Sequence, residues 1–144
     1  VGIRISFDLK SEGPVFDGTW ALIIYRYRWA LTNVLGERAV NMIKAYLPTR
    51  YEYLRNPASL HGTKHFHPGL YESDIHTDRQ SVDINLVHDT DVVYGPWLEG
   101  VGSRNLTTRF KGYHTFRHIA QQLELQASVI ADQVIEIYIK ELNA

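Results

Sequence analysis

His114 and His118 stand four residues apart, and His61, His65 and His67 crowd into a stretch of seven. On a helix the first spacing puts two imidazoles on one face, the arrangement a catalytic zinc ion takes with a third ligand. A site of the H-E-x-x-H type also needs a glutamate beside the first histidine to act as base. Here the sequence reads His114-Thr115-Phe116-Arg117-His118, with a cation in the motif and no acid nearby. Arg117 would repel a dication, so these histidines are read as facing solvent or a partner. No metal and no cofactor are expected.

The stretch VVYGPWLEGVGSRN, residues 92–105, suggests a second kind of chemistry. Its G-x-G invites a phosphate-binding reading, in which amides at the start of a helix hold the anion. The third glycine of the dinucleotide fingerprint is Asn105, the next helix is expected only from about residue 113, out of reach, and no G-K-[ST] follows. A G-x-S-x-G elbow and a Ser/His/Asp set are also missing. The acids at 72–91 fall mostly on the polar faces of alternating runs, where charge is simply solvated. Asn105-Leu106-Thr107 matches a glycosylation sequon, a chance match in a chain with no leader in view. With no nucleophile, base and oxyanion donors assembled, the chain is not expected to be an enzyme.

A structural joint is the remaining role for 92–105. Gly95 and Pro96 turn the chain, Trp97 anchors the bend with Leu98 buried beside it, and Gly100 and Gly102 let the backbone leave. Glu99 is placed to pair with a basic residue of the 104–111 segment, in this chain or a neighbouring one.

Fifteen Lys and Arg against sixteen Asp and Glu leave a formal charge of −1, which excludes a polycation built for nucleic acid. The charge is uneven along the chain. Glu72, Asp74, Asp78, Asp83, Asp89 and Asp91 face only Arg79 between 71 and 91, whereas 100–123 holds Arg104, Arg109, Lys111 and Arg117 and no acid. Such belts suit a protein that meets copies of itself. The absence of cysteine excludes disulfides and thiolate sites. The opening VGIRISFDLKSEG is charged where a secretory leader is apolar, and Trp20-Ala21-Leu22-Ile23-Ile24 is too short to span a bilayer. A soluble protein made in the cytoplasm is expected.

These groups must be positioned by a small set of elements. Residues 1–8 alternate as a half-buried strand does, with Val1, Ile3, Ile5 and Phe7 on one side. From about 17 to 46, Trp20, Ile24, Tyr27, Leu31, Val34, Leu35, Ala39, Ile43 and Tyr46 recur at helical spacing; Gly36 is a weak point and Pro48 lies past the end. Residues 48–69 lack periodicity and make a long central loop or arm. The runs 70–77 and 81–88 predict an antiparallel hairpin, with Tyr71 and Ile75 inward on the first and Val82, Ile84 and Leu86 on the second. Residues 92–94 predict a further short strand, 95–112 the joint and a basic loop, and 113–142 a second long helix. Its stripe is Phe116, Ile119 or Ala120, Leu123, Ala127, Ile130, Val134, Ile137 and Tyr138. The expectation is a single α+β domain over 1–144, a small, mostly antiparallel sheet packed against two long helices.

Tyr94, Trp97, Leu98, Glu99 and Gly100 or Gly102 fill a turn of the form Y-x-x-[YFW]-[LV]-E-x-G, and Phe110, Tyr113 and Phe116 lead into the last helix. In this the chain resembles the head–tail joining or tail-completion proteins of long-tailed bacteriophages, also called neck proteins or minor tail components. YLRNP at 53–57, followed by YESDIHTDR, is similar to the version carried by viruses of actinobacteria. The resemblance covers about 50–125, and the N-terminal third in outline.

The resemblance implies a non-enzymatic virion part, made in the host cytoplasm, that forms a ring at the head–tail junction. Its partners would be copies of itself, the head connector or stopper protein, and the tail terminator or tail tube protein. DNA would pass through the channel without sequence-specific binding, and no membrane is involved. A ring needs two complementary faces per subunit. Candidate interface residues are Asp83, Asp89 and Asp91, the basic Arg104, Arg109 and Lys111, and Tyr94, Trp97 and Glu99 of the joint. The 48–69 arm is a candidate to reach an adjacent ring. Within the same class the alternative is a tail terminator capping the tube. From other classes the alternatives are a small His-dependent metalloenzyme using 61–67 with His114 and His118, and a DNA-binding module using Arg104 and Arg109.

Overall fold

A computed structural model describes residues 17–50, 68–90 and 92–143. The expected strand at 1–8, residues 51–67 of the expected arm with His61, His65 and His67, and Asp91 lie outside the described residues. The architecture is α+β, with two long helices and a small two-stranded antiparallel sheet. In chain order the elements are α1 (Trp20–Arg50), α2 (Pro68–Asp74), β1 (His76–Arg79), β2 (Asn85–His88), α3 (Gly95–Glu99), α4 (Arg104–Thr107) and α5 (Thr115–Leu142).

Helix α1 runs 31 residues and carries Pro48 inside its last turn rather than beyond its end. Proline removes a ladder N–H, which matters least near a terminus. There the Thr49 hydroxyl donates to the Tyr46 carbonyl at 2.6 Å. Helix α5 lies antiparallel to α1. Arg26 pairs with Glu141, the ring of Tyr27 meets Tyr138, Arg38 donates to Gln126, and Tyr46 stacks on His118.

Segment 70–74 is helical, not a strand, because Pro68 opens a helix whose first N–H needs no partner. Tyr71 and Ile75 are both fully buried. A spacing of four satisfies strand and helix periods alike, so pattern alone does not separate them. The hairpin is shorter than expected and faces the other way. Its register pairs Thr77 with Val87 and Arg79 with Asn85 on the side toward α1, while Ile84 and Leu86 are exposed.

That inversion has a cause in Arg79. Its guanidinium donates to the carbonyls of Trp29, Ser81 and Val82 and to the side chains of Thr32 and Asn33, and it lies over the Trp29 ring at 4.8 Å. Its two terminal nitrogens donate five hydrogen bonds in all, so a cation can occupy the inner side. Gly36 is the point of closest approach, since a Cβ there would stand 2.6 Å from the Asn85 amide nitrogen and 3.1 Å from Thr77 Cγ2. Residues 92–94 do not form the expected strand; Val92 is buried and the chain turns directly into α3.

The core sits at one end of the helix pair. Ile43 and Leu47 of α1, Tyr71, Ile75, Val92, Leu98 and Ile119 form it, with Tyr94, Trp97, Tyr113 and Phe116 packed around. Toward the other end burial is thin. In α5 only Thr115 and Ile119 are buried, and the expected stripe of Leu123, Ala127, Ile130 and Val134 is half-covered by α1. On α1, Trp20, Ile24 and Val34 are exposed rather than inward; Ala39 and Ile43 of the expected stripe are buried, together with Ile23, Gly36 and Leu47.

Candidate interaction surface

The joint is built as a short helix with a tight exit. Gly95 and Pro96 begin α3, where a proline costs no hydrogen bond, and Gly100 ends it in the left-handed region at φ 91°. Pro96 O receives the N–H groups of Gly100, Val101 and Gly102 at 2.9–3.1 Å. Leu98, 1 % exposed, is the deeper anchor, whereas Trp97 is half-buried against Phe110 with ring centroids 4.6 Å apart.

Among the described residues Glu99 forms no ion pair with the basic segment of its own chain. Its two carboxylate oxygens accept the backbone N–H groups of Phe116 at 3.1 Å and Arg117 at 3.3 Å, in the first turn of α5. The residue preceding that helix, His114, is left-handed at φ 51° and makes no side-chain cap. A carboxylate from another element therefore satisfies two free donors and complements the positive end of the helix. Glu99→Ala is expected to cost about 1–2 kcal/mol, and Glu99→Gln about half as much because one acceptor oxygen remains. Urea unfolding midpoints measure both; a Glu99→Ala midpoint equal to the parent's would rule out the cap.

Asn105 is the residue that sequence inspection passed over. It is 4 % exposed. Its Oδ1 accepts the Gly102 N–H at 3.0 Å, and its Nδ2 donates to the carbonyls of Trp97 at 3.0 Å and Phe110 at 3.2 Å. The side-chain amide thus staples both arms of the joint together. With its nitrogen engaged and buried, the sequon asparagine is not presented to solvent in the folded chain. The only sequence signal was an asparagine three residues past G-x-G.

The remaining interface candidates divide by how they are engaged. Arg104 and Arg109 are exposed and form no ion pair among the described residues, while the Lys111 ammonium donates to the carbonyl of Asn105 at 2.7 Å. Asp83 is held by the guanidinium of Arg28, a pairing that lowers the Asp83 carboxyl below its usual range. Asp89 lies against Gly95, where an added Cβ would strike its carboxylate. The Tyr94 ring faces Tyr71 at 6.3 Å. Burial first, then the charges of Asp89 and Glu99, push the Tyr71 phenol above its ordinary range, so it stays un-ionised.

Among the described residues no three histidine, aspartate or glutamate side chains converge as metal ligands. His114 lies against Gly100 and His118 stacks on Tyr46 at 4.6 Å, so both rings serve packing. A pair that spacing did not single out is His76 with His88, directly opposite across the hairpin with centroids 4.4 Å apart. Each Nδ1 donates to a carbonyl, of Asp74 at 2.7 Å and Asp89 at 2.6 Å. Register, once known, is the signal that finds them.

Comparison with family models, curated proteins and solved structures finds no match to this chain. Among the described residues no helix is long and apolar enough to cross a membrane.

Proposed function

We propose that the chain is a ring-forming structural subunit at the head–tail junction of a tailed bacteriophage, part of the neck or tail-completion assembly around the DNA channel. The observation that carries this reading is a pair of oppositely charged patches that one chain cannot bring together. Arg104, Arg109 and Arg117 are exposed around the start of α5, and Glu124, Asp132 and Glu136 are exposed farther along it. A helix rises about 1.5 Å per residue, so Arg117 and Asp132 are roughly 20 Å apart on a rigid rod. Complementary patches fixed at that separation find their partners in other molecules. Head-to-tail contact of that kind closes a ring when the rotation per subunit divides the circle. The resemblance of the 94–116 turn and helix entry supplies the phage assignment.

The test is native mass spectrometry of the purified protein, alone and mixed with assembled tail-tube subunits. A closed oligomer, or a monomer recruited to tube ends, is the expected result. A monomer that ignores tubes and carries stoichiometric zinc would replace this reading with the histidine-dependent one.

A further inference from the structure

We infer that the contact between neighbouring copies is heterologous and specific: the Leu106 knob of one chain seats on the α5 stripe of Leu125, Val129, Asp132 and Glu136 in the next. The inference rests on the ring reading and adds the two surfaces that meet.

The knob is the short helix α4. Leu106 is 83 % exposed there, an unusual position for a leucine on a well-fixed turn. The turn is fixed because Asn105, its neighbour, is buried and triply hydrogen-bonded, and because the Lys111 ammonium closes on the carbonyls of Asn105 and Leu106. Arg104 and Arg109 flank it, both exposed. The result is an apolar tip between two cations, held rigid from beneath.

The receiving surface has the complementary order. Leu125, Val129, Asp132 and Glu136 are spaced by four, three and four residues, so they follow one line along α5. Leu125 is 82 % and Val129 57 % exposed, and both border a groove of about 440 Å³ lined also by Val34, Ile130 and Val134. Arg38 also lines the groove, and its guanidinium donates to Gln126 at 3.3 Å. Asp132 and Glu136 are exposed and make no hydrogen bond or ion pair among the described residues. An apolar tip with flanking guanidiniums fits an apolar groove that continues into carboxylates, with leucine in the groove and arginine on the acids.

A second copy is favoured over an unrelated partner because both halves of the match belong to this one chain. The acidic hairpin is a weaker acceptor, since the Asp83 carboxylate is already taken by Arg28 and Asp89 is packed against the joint.

The absence of cysteine makes the test direct. Full-length Leu106→Cys and Val129→Cys chains are prepared separately, mixed, and oxidised. The expected result is a disulfide dimer in the mixture and none in either variant alone. Charge reversal gives the second arm. Asp132→Lys weakens self-association by roughly tenfold or more, and adding Arg104→Glu restores it. Self-cross-linking of Val129→Cys alone would show a two-fold contact between like surfaces and overturn the inference. So would an oligomer that fails to cross-link in the mixture; if it still joins tail tubes, the ring reading stands without this contact. A chain monomeric at all concentrations and indifferent to tubes defeats both.

Discussion

Gly112→Ala is expected to cost about 4 kcal/mol or more, the range reserved for substitutions that force backbone to move. Gly112 adopts φ 95°, a conformation costing an L-residue about 1 kcal/mol by itself. The larger part is contact. A Cβ at Gly112 would collide with the backbone of Gly100 and stand 2.7 Å from the Glu99 carbonyl carbon. Gly100 in turn has no room on its side, where the Lys111 carbonyl oxygen and the His114 ring lie. Two stretches of main chain thus touch with no side chain between them, and no rotamer can relieve an added methyl. Since domains are stable by only about 5–15 kcal/mol, the melting temperature should fall by roughly 10 °C or more. A calorimetric shift within roughly 2 °C of the parent would show that the contact is not obligatory.

The second large effect is Asn105→Asp, a change of almost no volume. It turns the nitrogen that donates to Trp97 O and Phe110 O into an oxygen facing two carbonyls, in a site 4 % exposed. Two hydrogen bonds become two repulsions, and a carboxylate is left largely desolvated, for a cost of about 3–4 kcal/mol. The Lys111 ammonium, already bound at the Asn105 carbonyl, limits the loss but does not cancel it. Protonation of the new carboxyl restores one donor. The folded state therefore binds that proton more tightly than the unfolded chain, and the deficit shrinks as pH falls. Asn105→Ala, which removes the bonds without adding charge, is the comparison. Urea titrations at neutral and acidic pH check both features; an Asn105→Asp deficit independent of pH would contradict the repulsion.

These two positions also mark where sequence and structure part. The long helices were readable because their periodicity is sustained over 31 and 28 residues, enough for the helical repeat to dominate local accident. The turn at 95–100 was readable because proline and glycine restrict or free the backbone in known ways. Short segments were not. Tyr71 and Ile75 fit both a strand and a helix, and the hairpin presents Arg79 and Asn85 inward because carbonyls of α1 and the hairpin turn receive the guanidinium. No alternation rule anticipates an arginine on the inner side. The cap is harder still, since Glu99 and Phe116 are brought together by a backbone contact between Gly100 and Gly112. Asn105 was visible as a residue but not as a staple, because its partners at 97, 102 and 110 become neighbours only after the joint has closed.

The uneven burial along α5 has a consequence for how the molecule holds its shape. Thr115 and Ile119 moor the first turns of that helix, and nothing after them is fully covered. Its free energy of local opening is therefore graded, near the global value at the moored end and small toward Leu142. Among the described residues the distal turns pack on α1, through contacts such as Tyr27 with Tyr138 and Arg26 with Glu141. In the isolated chain those turns are therefore expected to open more readily than the moored end. In the ring we propose, a neighbour resting on them would quench that breathing, and their rigidity would belong to the assembly rather than to the subunit.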